Sequence, residues 1–165
     1  MSATGRCNFH KGIGISYDEV YHLLDGTRKI DKKGRGGHGD SCYHDEDYFI
    51  WQYTGSEATA QSAGKRTFDW IKEVQDRGAG EIVLNCMGAD GTKAGYDLEQ
   101  LKAARDICRV PLIASGGAGC LDDFKAAFTD AKVDAALAAG VFHRGEITIP
   151  QLKSYLKDNG LEVRL

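Results

Sequence analysis

A regular alternation of short apolar segments and longer amphipathic segments, running from residue 65 to residue 160, constrains the fold of this chain most tightly. Apolar residues recur at helical spacing in segments that begin near residues 65, 97, 121 and 150. Between them lie apolar runs at residues 81–85, 110–114 and 133–138, which are typical of strands buried on both faces. Strand, helix and strand in succession form the repeating unit of a parallel sheet. The sequence therefore predicts an α/β fold.

A different pattern precedes the alternation. The aromatic and β-branched run at residues 48–53 predicts one arm of a β-hairpin. Residues 1–39 show no clear period, and their last part is glycine-rich and charged, which is unfavourable for a helix or a strand. We therefore divide the chain into an atypical segment, residues 1–39, and a regular domain, residues 40–165.

Composition narrows the classes of partner. The 165-residue chain has a formal net charge of -3, which gives no reason to expect a nucleic-acid or membrane partner. It has no apolar run long enough to cross a bilayer and no signal-peptide pattern at its start. Five cysteines without a C-x-x-C pair favour free thiols in a reducing cytoplasm. The spacing of His38, Cys42, His44 and Asp45 fits no common zinc pattern, so no metal or other cofactor is predicted.

Glycine-rich loops follow each of the three predicted parallel strands. Their sequences are Gly-Ala-Asp-Gly-Thr at residues 88–92, Ser-Gly-Gly-Ala-Gly at residues 115–119 and Ala-Ala-Gly-Val at residues 138–141. Because parallel strands end at the same edge of a sheet, these loops are expected to lie side by side. Glycine lets the backbone approach a ligand closely, and several N–H groups then point at one anion. One such loop alone is a simple connection, but three in phase predict a phosphate site.

Four longer motifs resemble those of a known family. They lie at residues 78–85, 90–97, 113–119 and 136–143. In order and spacing they resemble the second half of the cyclase subunit of imidazole glycerol phosphate synthase, an enzyme of histidine biosynthesis. The resemblance covers residues 40–165 and implies half of a (βα)8 TIM barrel, with a β-hairpin after its first strand. A sister isomerase shares the Asp-Gly-Thr and Ser-Gly-Gly patterns, but usually lacks the Val-Phe-His sequence and this C-terminal tail.

The resemblance also implies a reaction and its residues. The family closes an imidazole ring on a phosphorylated ribulosyl nucleotide, using ammonia from a glutaminase subunit. Asp40 occupies the position of a catalytic acid–base aspartate, and Glu81 that of a charged residue where ammonia enters. Gly140 replaces the serine that is usual in the phosphate site. The phosphate-site positions are Asp90, Gly91, Thr92, Ser115, Gly116, Gly117, Ala139 and Gly140.

The sequence departs from the family before Asp40. A complete barrel of this type needs about 250 residues, and its first four strands have no counterpart here. The fifth strand should be apolar, but residues 34–39 are Gly-Arg-Gly-Gly-His-Gly. Shifted by one base, the codons of this run encode Ala-Val-Val-Val-Met-Val with suitable third bases. Residues 1–39 are therefore interpreted as disordered or as translated out of frame.

Two functions remain open at the level of sequence. The first is the cyclase, with Asp40 as its catalytic residue. The second is a half barrel that binds phosphate but does not turn over, because it lacks a second acid–base carboxylate. The two differ in whether residues 1–39 or a partner chain supplies that carboxylate. An open half barrel also exposes strand edges and an apolar inner layer, which favours self-association.

Overall fold

The computed structural model of the protein describes residues 27–29, 48–54 and 58–164. These residues form two sheets, one antiparallel and one parallel. Of residues 1–39, only 27–29 are among the described residues, and Asp40 lies outside them. The structure therefore bears on the predicted α/β fold, on the hairpin and on the glycine loops.

The antiparallel sheet contains the predicted hairpin arm. Its strands are β1 (Thr27–Lys29), β2 (Tyr48–Gln52) and β3 (Gln61–Arg66), paired in that order. Strand β2 matches the predicted arm, whereas the sequence patterns predict neither β1 nor β3. Strand β3 is almost entirely exposed and reads Gln-Ser-Ala-Gly-Lys-Arg, so it has no apolar alternation that would reveal it.

Parallel strands alternate with helices through the rest of the described chain. In chain order the elements are α1 (Thr67–Asp76), β4 (Ile82–Asn85), α2 (Leu98–Ile107), β5 (Leu112–Ser115), α3 (Leu121–Thr129), β6 (Ala135–Leu137), α4 (Gly140–His143) and α5 (Ile149–Asp158). The strands pair in the order β4-β5-β6. All three predicted strands and all four predicted helices are present, which confirms the α/β fold. The short helix α4 is an addition to the predicted set.

One face of the parallel sheet is buried and the other is open. Ile82 and Leu84 of β4 are 0% exposed and belong to the hydrophobic core shared with the helices. The intervening Val83 is only half-buried, as is its neighbour Ile113 on β5, and Leu137 on β6 is 49% exposed. The expectation that the strands are buried on both faces is therefore wrong for the described residues, because the described helices cover one face only.

Local sequence sets the helix ends. The Asp97 carboxylate accepts a hydrogen bond from the Gln100 N–H at 3.0 Å, which begins α2 as predicted. Thr148 caps α5, Pro150 lies in its first turn, and Gly160 follows it with a φ of 80°. No helix in the described part of the chain combines the length and apolar character that crossing a bilayer requires.

The two faces of β4 predict different costs for truncation. We expect Leu84→Ala to lower the free energy of unfolding by about 2–5 kcal/mol, because it opens a cavity in the core. Val83→Ala is the matched control and should cost about 1 kcal/mol, because Val83 lies on the open face. Urea denaturation of both variants measures the difference. Equal losses would contradict the assignment of a buried and an open face.

Candidate phosphate-binding site

The carboxyl ends of the parallel strands form one edge of the sheet, which we call the loop edge. Asn85, Ser115 and Leu137 end the three strands and lie in register across it. Beyond each of them the chain enters one of the glycine-rich loops. All eight predicted phosphate-site residues lie at this edge: Asp90, Gly91, Thr92, Ser115, Gly116, Gly117, Ala139 and Gly140.

The loop after β4 packs directly on the loop after β5. The Gly95 N–H donates a hydrogen bond to the Gly117 carbonyl oxygen at 2.9 Å. A Cβ atom at Gly117 would lie 2.1 Å from the Gly95 carbonyl oxygen, and Gly117 has a φ of 111°. Both the backbone conformation and the contact distance therefore require glycine at this position.

Gly116 brings a second pair of predicted residues together. Its Cβ position is 3.2 Å from the Asp90 Cβ and 2.9 Å from the Cys86 carbonyl oxygen, so Asp90 lies against the start of the β5 loop. Beside it, the Ser115 hydroxyl donates to the Asn85 side-chain oxygen at 3.0 Å. Asn85 is not among the predicted site residues, although its place at the end of a predicted strand was a signal for it.

Tyr96 connects the loop after β4 to the end of β6. Its hydroxyl donates to the Leu137 carbonyl oxygen at 3.0 Å, and its ring meets Phe124 edge-on with centroids 5.7 Å apart. The side chain is 6% exposed. Burial, and secondarily the negative charge of Asp123, raise the pKa of the Tyr96 hydroxyl above its ordinary value. Tyr96 lies inside a recognised motif, but nothing in the motif reveals this contact.

Some backbone donors at the loop edge are occupied within the protein. The Asp123 carboxylate accepts from the Gly119 N–H at 2.7 Å and from the Cys120 N–H at 2.8 Å, which closes the first turn of α3. Other N–H groups form no hydrogen bond with any residue that the structure describes. Among these are the N–H groups of Gly116, Gly117, Ala139 and Gly140. A set of neighbouring N–H donors of this kind is suited to an anion.

The remaining predicted residues are placed as follows. Glu81 is exposed and precedes β4, so it lies at the edge of the sheet opposite the loop edge. Gly91 is exposed with open space at its Cβ position, and the Thr92 hydroxyl donates to the Ala89 carbonyl at 2.7 Å. Asp40 lies outside the described residues. Within the described ranges, no group of His, Cys, Asp and Glu is arranged to hold a metal ion.

A charged cluster that the sequence does not predict spans the loops after β4 and β6. Lys93 Nζ donates to both carboxylate oxygens of Glu146, at 2.8 and 2.9 Å, and Arg144 Nε donates to one of them at 2.6 Å. The hydrogen bond from Arg144, followed by that from Lys93, lowers the pKa of the Glu146 carboxyl. Lys93 and Glu146 are 53 residues apart, so no local pattern connects them.

Known proteins are similar to this chain over the part that contains the parallel sheet and its loops. The sequence profile of the family described as histidine biosynthesis protein matches residues 38–148. The imidazole glycerol phosphate synthase subunit HisF of Vibrio cholerae (strain O395) is 55% identical over 129 residues, which are 76% of this chain and 50% of that protein.

Two further relatives with the same name show similar coverage. The subunit of Vibrio parahaemolyticus is 53% identical over 130 residues, covering 77% of this chain and 51% of that protein. The subunit of Enterobacter sp. (strain 638) is 58% identical over 118 residues, covering 72% of this chain and 46% of that protein. The chain thus spans about half the length of the curated relatives it matches.

A pair of glycine variants tests the contact between the loops. We expect Gly117→Ala to lower the free energy of unfolding by about 1–3 kcal/mol more than Gly91→Ala. Both residues have positive φ, so either substitution strains the backbone, but only Gly117 also has a carbonyl oxygen in the way of a Cβ. Denaturant unfolding of the two variants measures the difference. A similar cost for both would show that the loops do not pack as described.

The raised pKa of Tyr96 predicts a loss of stability in alkali. Since the pKa in the folded state exceeds the unfolded value of 10.0, the contribution is complete below pH 10 and falls as the pH rises further. We expect Tyr96→Phe to flatten the decline of unfolding free energy above pH 10, with Tyr53→Phe, an exposed site, as the control. Thermal unfolding across this pH range measures it, and parallel declines for wild type and Tyr96→Phe would refute the assignment.

Proposed function

Because this chain belongs to the histidine biosynthesis protein family, we propose that it acts as the C-terminal half of the cyclase subunit of imidazole glycerol phosphate synthase. In this role it takes part in closing an imidazole ring on a phosphorylated ribulosyl nucleotide with ammonia. The products are imidazole glycerol phosphate and an aminoimidazole carboxamide ribotide. Since the chain spans 50% of the Vibrio cholerae relative, the reaction is proposed for a barrel completed by a second half.

The observation that carries this proposal is the group of N–H donors at the loop edge. Gly116, Gly117, Ala139 and Gly140 offer donors that no other described residue uses. They lie in loops that follow the adjacent strands β5 and β6, and several backbone N–H groups in neighbouring loops can bind one anion. A phosphate group of the substrate is the proposed occupant, and Asp90, Gly91, Thr92 and Ser115 form the surrounding wall.

Anchoring one phosphate at the loop edge positions the rest of the substrate. Binding energy from a remote phosphate holds the reacting atoms in place, which accelerates a condensation by lowering its entropic cost. Asp40, at the start of the regular domain, is the proposed acid–base group that exchanges protons with amine and hydroxyl groups during ring closure. Positioned proton transfer of this kind contributes about 10²–10⁴-fold to a rate.

The opposite edge of the sheet is proposed to receive ammonia. Glu81 is exposed there, at the amino end of β4, and the glycine loops lie at the other end of the same strand. A glutaminase subunit docked at that edge would deliver ammonia through the barrel toward the phosphate-anchored substrate. The thiols of Cys108 and Cys120 form no disulfide among the described residues, which suits a cytoplasmic location.

A second candidate function is a phosphate-binding half barrel without turnover. The open face of the parallel sheet favours it, because Val83 and Ile113 are only half-buried and Leu137 is 49% exposed. A half barrel that lacks a complement presents this face and the outer edges of β4 and β6, and is expected to self-associate. The two candidates share the loop edge and differ in the presence of a complementary half.

Complementation distinguishes the two candidates. We expect the chain, mixed with the unmatched half of the Vibrio cholerae subunit, to convert the ribulosyl substrate with ammonium salt into imidazole glycerol phosphate. Asp40→Asn should lower that rate by about 10²–10⁴-fold, because the acid–base group is removed. Asp106→Asn, an exposed aspartate on α2, removes the same charge and should leave the rate unchanged.

Each outcome of this experiment decides something. Turnover that Asp40→Asn does not reduce would contradict the role of Asp40. Failure to turn over, together with a rise in thermal midpoint on adding inorganic phosphate, would favour the second candidate. Failure to turn over without any effect of phosphate would refute both, because the loop edge would then bind no phosphate.

A further inference from the structure

We propose that Arg144 binds the substrate phosphate at the loop edge, with Glu146 and Lys93 holding its guanidinium group in place and Gly140 leaving room for it. The inference rests on the proposed function, since it adds a side chain to the phosphate site proposed there. Neither the motifs nor the comparisons assign a role to Arg144.

Gly140 is the first residue of the short helix α4, and Arg144 directly follows the helix, four residues further along the chain. A Cβ atom at Gly140 would lie 2.7 Å from Arg144 Nη2 and 2.9 Å from Nη1. The φ of Gly140 is not in the left-handed region, so the backbone itself would accept a side chain. The guanidinium group of Arg144 therefore occupies the space that a side chain at Gly140 would take. Its two Nη groups therefore lie close to the backbone of Gly140, whose N–H has no acceptor among the described residues.

The donors of Arg144 are only partly used. Its Nε donates to Glu146 Oε1 at 2.6 Å, while the two Nη groups have no hydrogen-bond acceptor among the described residues. A guanidinium group has five N–H donors, and its planar fork matches two oxygens of a phosphate. The Nε contact fixes the plane of the fork, and the outer donors remain available to a ligand.

The charges of the cluster do not cancel. Lys93 and Arg144 share the single carboxylate of Glu146, so the three side chains together carry one positive charge. This excess lies beside the N–H groups of Ala139 and Gly140, where a phosphate would add its negative charge. The Arg144 side chain is 51% exposed, so a ligand from solution can reach it.

Lys93 and Arg144 have different roles in this cluster. Lys93 Nζ contacts both oxygens of Glu146, so its charge is directed at the carboxylate. Its backbone has a φ of 57°, and its carbonyl oxygen lies 2.3 Å from the Cβ position of Gly119, which fixes the residue between two loops. Lys93 is therefore a positioning residue for Glu146, whereas Arg144 is the residue that contacts phosphate.

Calorimetric titration with inorganic phosphate at low ionic strength tests the proposal. We expect Arg144→Gln to weaken phosphate binding by about tenfold, because a charge-assisted bidentate contact is lost. Arg109→Gln is the matched control: it removes the same charge from an exposed arginine that pairs with Asp76, before β5 and away from the loop edge. Its effect should stay below about twofold, because the charge of an exposed arginine away from the loop edge is screened by solvent and salt.

A double-mutant cycle tests the space at Gly140. A serine there displaces the guanidinium group, so we expect Arg144→Gln to have less than about a twofold effect in the Gly140→Ser background. Thermal midpoints measured without phosphate show whether each variant is folded.

The outcomes separate the inference from the function on which it rests. A wild-type chain that binds no phosphate would refute the proposed phosphate site, and Arg144 with it. Phosphate binding that Arg144→Gln leaves unchanged would refute only the role of Arg144. An undiminished tenfold loss in the Gly140→Ser background would refute the claim that Gly140 makes room for the guanidinium group.

Discussion

The loop edge depends on the close contact between the backbones of Gly95 and Gly117, neither of which has a side chain. The hydrogen bond between them is 2.9 Å long, and any Cβ at Gly117 would collide with the Gly95 carbonyl. This contact places the loop after β4 over the loop after β5, and Tyr96 then reaches the end of β6. The hydrogen bonds at the edge therefore connect the loops after β4 and β5 and the end of β6, which are separated in sequence by the helices α2 and α3.

Most of the parallel sheet could be predicted from periodicity, because helices and strands with buried apolar faces repeat their residues at fixed spacing. The cap at Asp97 and the stop at Gly160 were equally local signals. Strand β3 could not be found in this way, because its exposed polar residues carry no apolar period. The half-exposed face around Val83 depends on what covers the sheet, which the apolar content of a strand does not determine.

The candidate site likewise contains residues that a sequence pattern indicates and residues that only the fold brings together. The position of Gly116, Gly117 and Gly140 at the loop edge could be predicted, because each of them follows a predicted strand in a glycine-containing loop. The cluster of Lys93, Glu146 and Arg144 was not, because its ion pairs join residues that only the fold brings together. Backbone donors and long-range charges thus contribute to one proposed phosphate site. Only the loops that carry the backbone donors have a recognisable sequence pattern.

Phosphate binding by the backbone of the loop edge underlies both the proposed function and the role of Arg144. Amide chemical shifts, recorded by NMR during a titration with inorganic phosphate, test it most directly. We expect the largest changes at Gly116, Gly117, Ala139 and Gly140, with little change at Glu81 and its neighbours on the opposite edge. Changes that centre on the opposite edge, or that spread evenly over the described residues, would contradict it.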